Sequence, residues 1–190
     1  MFFIAASFIA TPAQTGGTST PAPTNQPYHR PDKETRDKRY LLSMFGPFAI
    51  GGDVIAAGIN TASNSPREWG PGWNGFGKRF ASQVGMSVVQ RSSQFALEES
   101  FKLDSYYYRS TKRDVGSRLK NAIASTFTAR RPDGSKTFGL PKIVGSYTAG
   151  IVAAETWYPK RYGLKDGLKS GSLSLGTDIL SNLFKEFFHR

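Results

Sequence analysis

The 190-residue sequence contains no cysteine. Disulfides, thiolate metal sites and cysteine nucleophiles are therefore excluded. Histidine is almost as scarce. His29 sits in a proline-rich stretch and His189 next to the C-terminal residue, so no histidine pair is in place for a catalytic relay or a zinc site. Asp and Glu number 14 against 25 Lys and Arg, and the net charge of +11 directs the chain toward anions. A phosphate loop is missing too: GWNGFGK at 72–78 has no strand before it and no Ser or Thr after its lysine. Ser170-Gly171-Ser172 belongs to a row of small residues and is not a nucleophile elbow. No cofactor and no metal is expected from this inventory.

What is present begins with an apolar run at residues 1–10, MFFIAASFIA, too short to cross a bilayer but matched to the hydrophobic part of a secretory signal. Thr11 and Ala13 place small residues for a cut before Gln14, so residues 1–13 are read as a signal peptide, although no basic residue precedes the run. Residues 14–32 are rich in Thr and Pro, hold no aliphatic side chain larger than alanine and read as a disordered linker. The folded domain is then 33–190.

Within it the apolar spacing is helical, and the fold class expected is all-α, a compact bundle of about five helices. Over 47–62, Ile50, Val54, Ile55 and Ile59 share a face. Later helices are read at 75–103 (Phe80, Val84, Val88, Phe95, Leu103), after Asp114 (Leu119, Ala122, Ile123, Phe127), at 141–158 and at 166–188 (Leu168, Leu175, Ile179, Leu183, Phe187). The segment 65–74 reads as an ordered turn, and 126–140, around Arg131-Pro132-Asp133-Gly134, as a short hairpin or loop. Small residues recur every fourth position at Gly77, Ala81 and Gly85, at Gly145, Ala149 and Ala153, and at Gly167 and Gly171, followed by Leu175. Such stripes let helix backbones approach closely, in lipid or in a tight soluble bundle. Residues 143–158 span only about 24 Å as a helix and include Glu155, and 45–59 carries Asp53 at its centre. Neither reads as a conventional membrane span, and both acids are expected to pair with an arginine or cap a neighbouring helix.

Catalysis without cysteine or a histidine pair falls to carboxylates, and Glu98, Glu99 and Asp104 form the one cluster. As a glycan hydrolase, Glu98 or Glu99 would be the acid with Asp104 assisting. Pairing of either glutamate with Lys102, and of Asp104 with Arg109, is the structural alternative. The stretch 102–142 carries ten Lys and Arg against three Asp, a net of +7, with Tyr106, Tyr107 and Tyr108 among them. Arg109, Lys112, Arg113, Arg118, Lys120, Arg130 and Arg131 are the candidate anion-binding residues. Export favours lipid phosphate or an acidic envelope polymer over nucleic acid as their partner.

Glu68-Trp69-Gly70, the run Gly75-Phe76-Gly77-Lys78-Arg79-Phe80, Tyr107-Tyr108-Arg109, STFTAR at 125–130, Trp157-Tyr158-Pro159 and Arg161-Tyr162 form a set of short phrases along the chain. Through them the chain resembles a family of exported envelope proteins from Gram-negative soil bacteria, over residues 40–188. The resemblance implies export, to the periplasm or a membrane-associated position in the envelope, and carries no activity. The function expected is a non-enzymatic envelope protein with a basic face for anionic lipid or polymer, open to self-association or a protein partner. The alternatives are the carboxylate hydrolase of wall glycan and a helical protein embedded in the membrane.

Overall fold

The computed structural model describes residues 28–188. The signal read at 1–13 and residues 14–27 of the linker lie outside the described residues. In chain order the elements are α1 (Lys33–Phe45), α2 (Pro47–Ala62), α3 (Gly72–Phe101), α4 (Val115–Ala124), β1 (Thr128–Arg130), β2 (Lys136–Phe138), α5 (Leu140–Thr156) and α6 (Leu164–Phe187). One 3-10 turn, Arg67–Trp69, joins α2 to α3. The architecture is all-α with a single two-stranded hairpin among the described residues.

Local chemistry accounts for the boundaries. Gly46 interrupts α1 and α2, and a side chain there would meet the Leu42 carbonyl at 2.3 Å, while Pro47 occupies the first turn of α2, where its missing N–H costs nothing. The Asp114 carboxylate accepts the Ser117 N–H at 2.7 Å and caps α4, which holds this carboxyl below its usual pKa. Helix α4 ends at Ala124, so Phe127, expected on its face, lies beyond it in the turn before β1. Lys102, at a φ of 54°, stops α3. The antiparallel hairpin pairs Thr128 with Phe138, Ala129 with Thr137 and Arg130 with Lys136, and closes on Gly134 at a φ of 84°.

The rod formed by α1 and α2 runs antiparallel along α3. Arg36 reaches Glu99, Tyr40 stacks on Phe95 at 4.5 Å, Asp53 meets Ser87 and the Ser65 carbonyl meets Arg79. Helix α5 packs against both α3 and α6. Two of the three small-residue stripes make these contacts. A Cβ on Gly145 would stand 2.6 Å from the Gln90 carbonyl of α3. On the α6 side, Gly150 would meet the Gly167 carbonyl at 2.3 Å, and Gly167 the Ile151 Cα at 2.7 Å. Gly77, in the third stripe, touches nothing within 4 Å.

The interior differs from the expected apolar faces. Buried apolar residues are mostly alanines (Ala57, Ala122, Ala129, Ala149, Ala153, Ala154), and the largest fully enclosed side chains are Arg79 and Glu186. On α2, Val54, Ile55 and Ile59 face outward, Ile55 at 65% exposure, while Asp53 and Ala57 face in. On α3 the buried positions are Gly75, Arg79, Ser82 and Gln90. Phe80, Val84, Val88, Phe95 and Leu103 are half-covered. Leu168 of α6 is exposed and Leu175 buried. The cause is spacing: helices brought together by glycine and alanine leave no room between them for branched side chains. Much of the polar interior is hydrogen-bonded internally, with Gln90 linking Ser146 and Ser174 at 3.1 and 2.9 Å, while Asp53 Oδ2, Ser105 Oγ and Asp178 Oδ2 are buried without a partner. Asp53 accepts from the Ser87 hydroxyl at 3.0 Å, not from an arginine. Glu155 is exposed.

Two glycine substitutions should therefore diverge. Gly52→Ala, with open space around its Cβ, should stabilise the protein by about 0.5–1 kcal/mol through helix propensity. Gly167→Ala should destabilise it by about 1–3 kcal/mol, because backbone of α5 must move. Chemical denaturation followed by far-UV circular dichroism measures both.

Candidate functional site

Of the residues singled out from sequence, Asp104, Arg118 and Arg130 enter two polar clusters beyond the C-terminal end of α3, built around the loop after Phe101. In the first, Asp104 is the hub. Its Oδ2 accepts the hydroxyls of Tyr28 and Tyr108, each at 2.7 Å, and its Oδ1 accepts the Tyr106 N–H at 2.8 Å. Its backbone pairs with that of Arg130, which ties the loop to β1. Burial, reinforced by the Asp104 charge, raises the Tyr28 and Tyr108 phenols, Tyr108 to about 12. Both therefore stay protonated donors at neutral pH.

Two arginines rest on these rings. Arg39 lies 4.0 Å from the Tyr106 centroid and 5.9 Å from that of Tyr108, and Arg130 lies 4.9 Å from Tyr108 and 5.3 Å from Tyr28. Residues 28–32, read as part of the linker, are thus docked on the domain. Arg30 extends the docking with a 2.8 Å ion pair to Glu99.

In the second cluster the buried Glu186 carboxylate of α6 accepts from the Tyr107 hydroxyl, the Ser110 N–H at 3.1 Å and Arg118 Nε at 3.0 Å. Burial pushes this carboxyl up, but the three hydrogen bonds outweigh it and hold its pKa below the usual value. Arg118 also covers the Phe187 ring at 4.4 Å. Tyr107 and Arg118 thus fasten α6 to the loop and to α4.

The seven basic candidates divide accordingly. Arg118 and Arg130 are engaged internally, and Arg109 is half-buried with a partner of its own. Lys112, Arg113, Lys120 and Arg131 are exposed, and Arg131 donates to the Thr137 hydroxyl at 3.2 Å. They lie on the loop, α4 and the hairpin around the two clusters.

The carboxylates do not converge. Glu99 is held by Arg36 through two bonds, 2.7 and 2.9 Å, and by Arg30, rather than by Lys102. Hydrogen bonding to Arg36 is the main reason its pKa is lowered. Glu98 turns inward to Gln94 and the Ser105 N–H, where burial raises it. Their pKa values are driven apart, as an acid and base require, but by neighbours on different sides of the helix. The concavity that Asp104 lines, with Tyr106, Tyr108, Ser125, Arg130 and Lys136, includes neither glutamate. Among the described residues no group of His, Asp and Glu is arranged to hold a metal.

Toward the other end of α3, about 33 Å from Phe101, Arg79 is almost fully enclosed. It donates to the carbonyls of Ser65, Pro66 and Gly70 at 2.7–2.8 Å and to Asn64 at 3.2 Å. This makes 65–74 an ordered turn, as its composition suggested. The role of Arg79 was not legible locally, because its partners are backbone carbonyls, which any sequence supplies.

Glu99→Gln should remove both arginine pairs and cost about 1 kcal/mol at neutral pH. Because the folded pKa of Glu99 is depressed, its contribution is present above its unfolded value of about 4.5 and is lost as pH falls through the lower folded value. The gap between wild type and variant should therefore close below about pH 4.5 in denaturation measured across pH. No protein-family model, curated protein or solved structure matches the chain.

Proposed function

We propose that this chain is a non-enzymatic, membrane-associated protein of the cell envelope. In this reading the outer faces of α1, α2 and α6 sit in lipid, and the basic end around α4 and the hairpin meets anionic headgroups. The observation that carries it is the inverted distribution of side chains. Ile55, Ile59, Leu173 and Leu180 are 64–67% exposed, while Arg79 and Glu186 are at most 1% exposed. Water penalises that arrangement and lipid rewards it. Closely packed small-residue helices with an internally bonded polar interior are also what a bilayer favours, since hydrocarbon outside gives apolar side chains no reason to turn inward.

The segment Lys33–Ala62 supports the same reading. By length and composition it is apolar enough to cross a membrane, with a window of mean hydropathy 1.5, and only 22% of that window is buried. A soluble core helix of that hydropathy would be mostly covered. Aromatic residues gather at both ends of α3: Trp69, Tyr158 and Tyr162 in edge-to-face contact at one, and Tyr28, Tyr106 and Tyr108 at the other. Such rings suit the membrane–water interface. Export, inferred from the first 13 residues, places that membrane in the envelope.

Cell fractionation of the full chain tests the proposal. It should remain with membranes in high salt, and Ile55→Asp with Ile59→Asp should release it while leaving helix content intact, since both positions are exposed. Binding of the full chain to phosphatidylglycerol vesicles should weaken with salt, and Lys112→Gln with Arg113→Gln should lower it about thirtyfold. A soluble wild-type chain indifferent to vesicles would refute the reading.

A further inference from the structure

The hairpin carries a like-charged pair that has no ion-pair partner among the described residues. Arg130 and Lys136 are register partners across β1 and β2, so their side chains leave the ribbon on the same face, directly opposite each other. Like charges so placed work against hairpin formation. Neither has a carboxylate within ion-pair distance among the described residues, and the same holds for Arg39 nearby. Asp104, the acid at this spot, accepts from two phenols and a backbone N–H and keeps its single negative charge, so Arg39, Arg130 and Lys136 share one carboxylate that forms no ion pair with any of them. The Lys136 ammonium is pushed below its usual pKa by burial and by Arg130, in keeping with a site short of negative charge.

We propose that Arg130 and Lys136 bind a phosphoryl dianion at the mouth of the concavity they share with Ser125, Tyr106 and Tyr108. The enclosed part, about 10 Å³, holds no more than a water molecule, so the ligand group sits at the rim between the two cations. A dianion matches two facing cations, where a carboxylate would leave one uncompensated. The guanidinium also offers the forked donor geometry that phosphate oxygens accept. The Tyr28 and Tyr108 rings preorganise Arg130, so less side-chain freedom is lost on binding. Inorganic phosphate and a phosphomonoester lipid headgroup present this same chemistry. Phe127, Phe138 and Leu140, exposed next to the pair in sequence, give acyl chains a surface to lie on. The lipid source rests on the membrane reading above; the phosphoryl site does not.

The test uses the full chain with inorganic phosphate, followed by 31P NMR titration and by melting temperature with and without phosphate. Lys136→Gln should raise the melting temperature in phosphate-free buffer, because the repulsion is gone, and weaken phosphate binding about tenfold, the loss expected for one charge-assisted contact. Arg130→Gln should weaken binding similarly, and Lys112→Gln, which removes an exposed charge outside the concavity, should leave it unchanged. Equal losses from Lys136→Gln and Lys112→Gln would overturn the site in favour of diffuse attraction, as would a Lys136→Gln protein that is less stable and binds as before. Vesicles of phosphatidic acid or phosphatidylglycerol in phosphatidylcholine, at matched charge, separate the sources. Preference for phosphatidic acid that Lys136→Gln abolishes supports the headgroup, and phosphate binding without that preference supports the free ion. Failure to bind any vesicle would count against the membrane reading and leave the phosphate result standing.

Discussion

The backbones of α5 and α6 lie so close that the Gly167 carbonyl occupies the space a side chain on Gly150 would need, and the rest of the architecture depends on that contact. Glycine in a helix interior costs about 1 kcal/mol relative to alanine, and here the return is backbone-to-backbone packing over Gly150, Gly167 and Gly171. Helices packed this tightly enclose little volume. Alanine and serine fill it, and the branched and aromatic side chains are left on the outer faces. The inverted surface is therefore a geometric consequence of the small-residue contact, and it is the observation on which the proposed lipid setting rests.

Close packing by small residues supplies little side-chain interdigitation, and polar hubs set the relative positions of the remaining segments. Glu186 joins α6 to α4 and the tyrosine loop, Asp104 joins that loop to β1 and to Tyr28, and Glu99 holds Arg30 and Arg36. Arg79 plays the corresponding part at the far end, gathering the turn between α2 and α3. Each hub is buried or half-buried and has several partners, which makes it costly to break one bond alone. Glu98, Glu99 and Asp104 each bond to other segments of the bundle or to their own helix.

The helices were legible because their punctuation is local. Pro47, Pro141 and Asp114 act within one turn of their own positions, and the stop at Lys102 falls where the apolar spacing ends. The stripe at 145, 149 and 153 and that at 167 and 171 were legible for a related reason, since a fourfold spacing of small residues has few other uses in a helix. Which way each helix faces was not legible. Ile55 and Ile59 on α2 follow the spacing of a core face, yet they point outward, because periodicity identifies an apolar side and says nothing of whether protein or lipid covers it.

The candidate site shows the same division. Composition and spacing drew attention to a cationic and aromatic stretch at 102–142, in a chain without cysteine and with only two histidines. Only the tertiary structure decided which cations are consumed and which remain. Arg118 is drawn to Glu186, 68 residues away, and Tyr28 reaches Asp104 across 76 residues. The Arg130–Lys136 confrontation depends on a strand register set by the turn at Gly134. Charge counts add along a chain, whereas compensation of charge depends on distance in three dimensions, and that distance is set by the hairpin register and by the contacts of the tyrosine loop with α4 and α6.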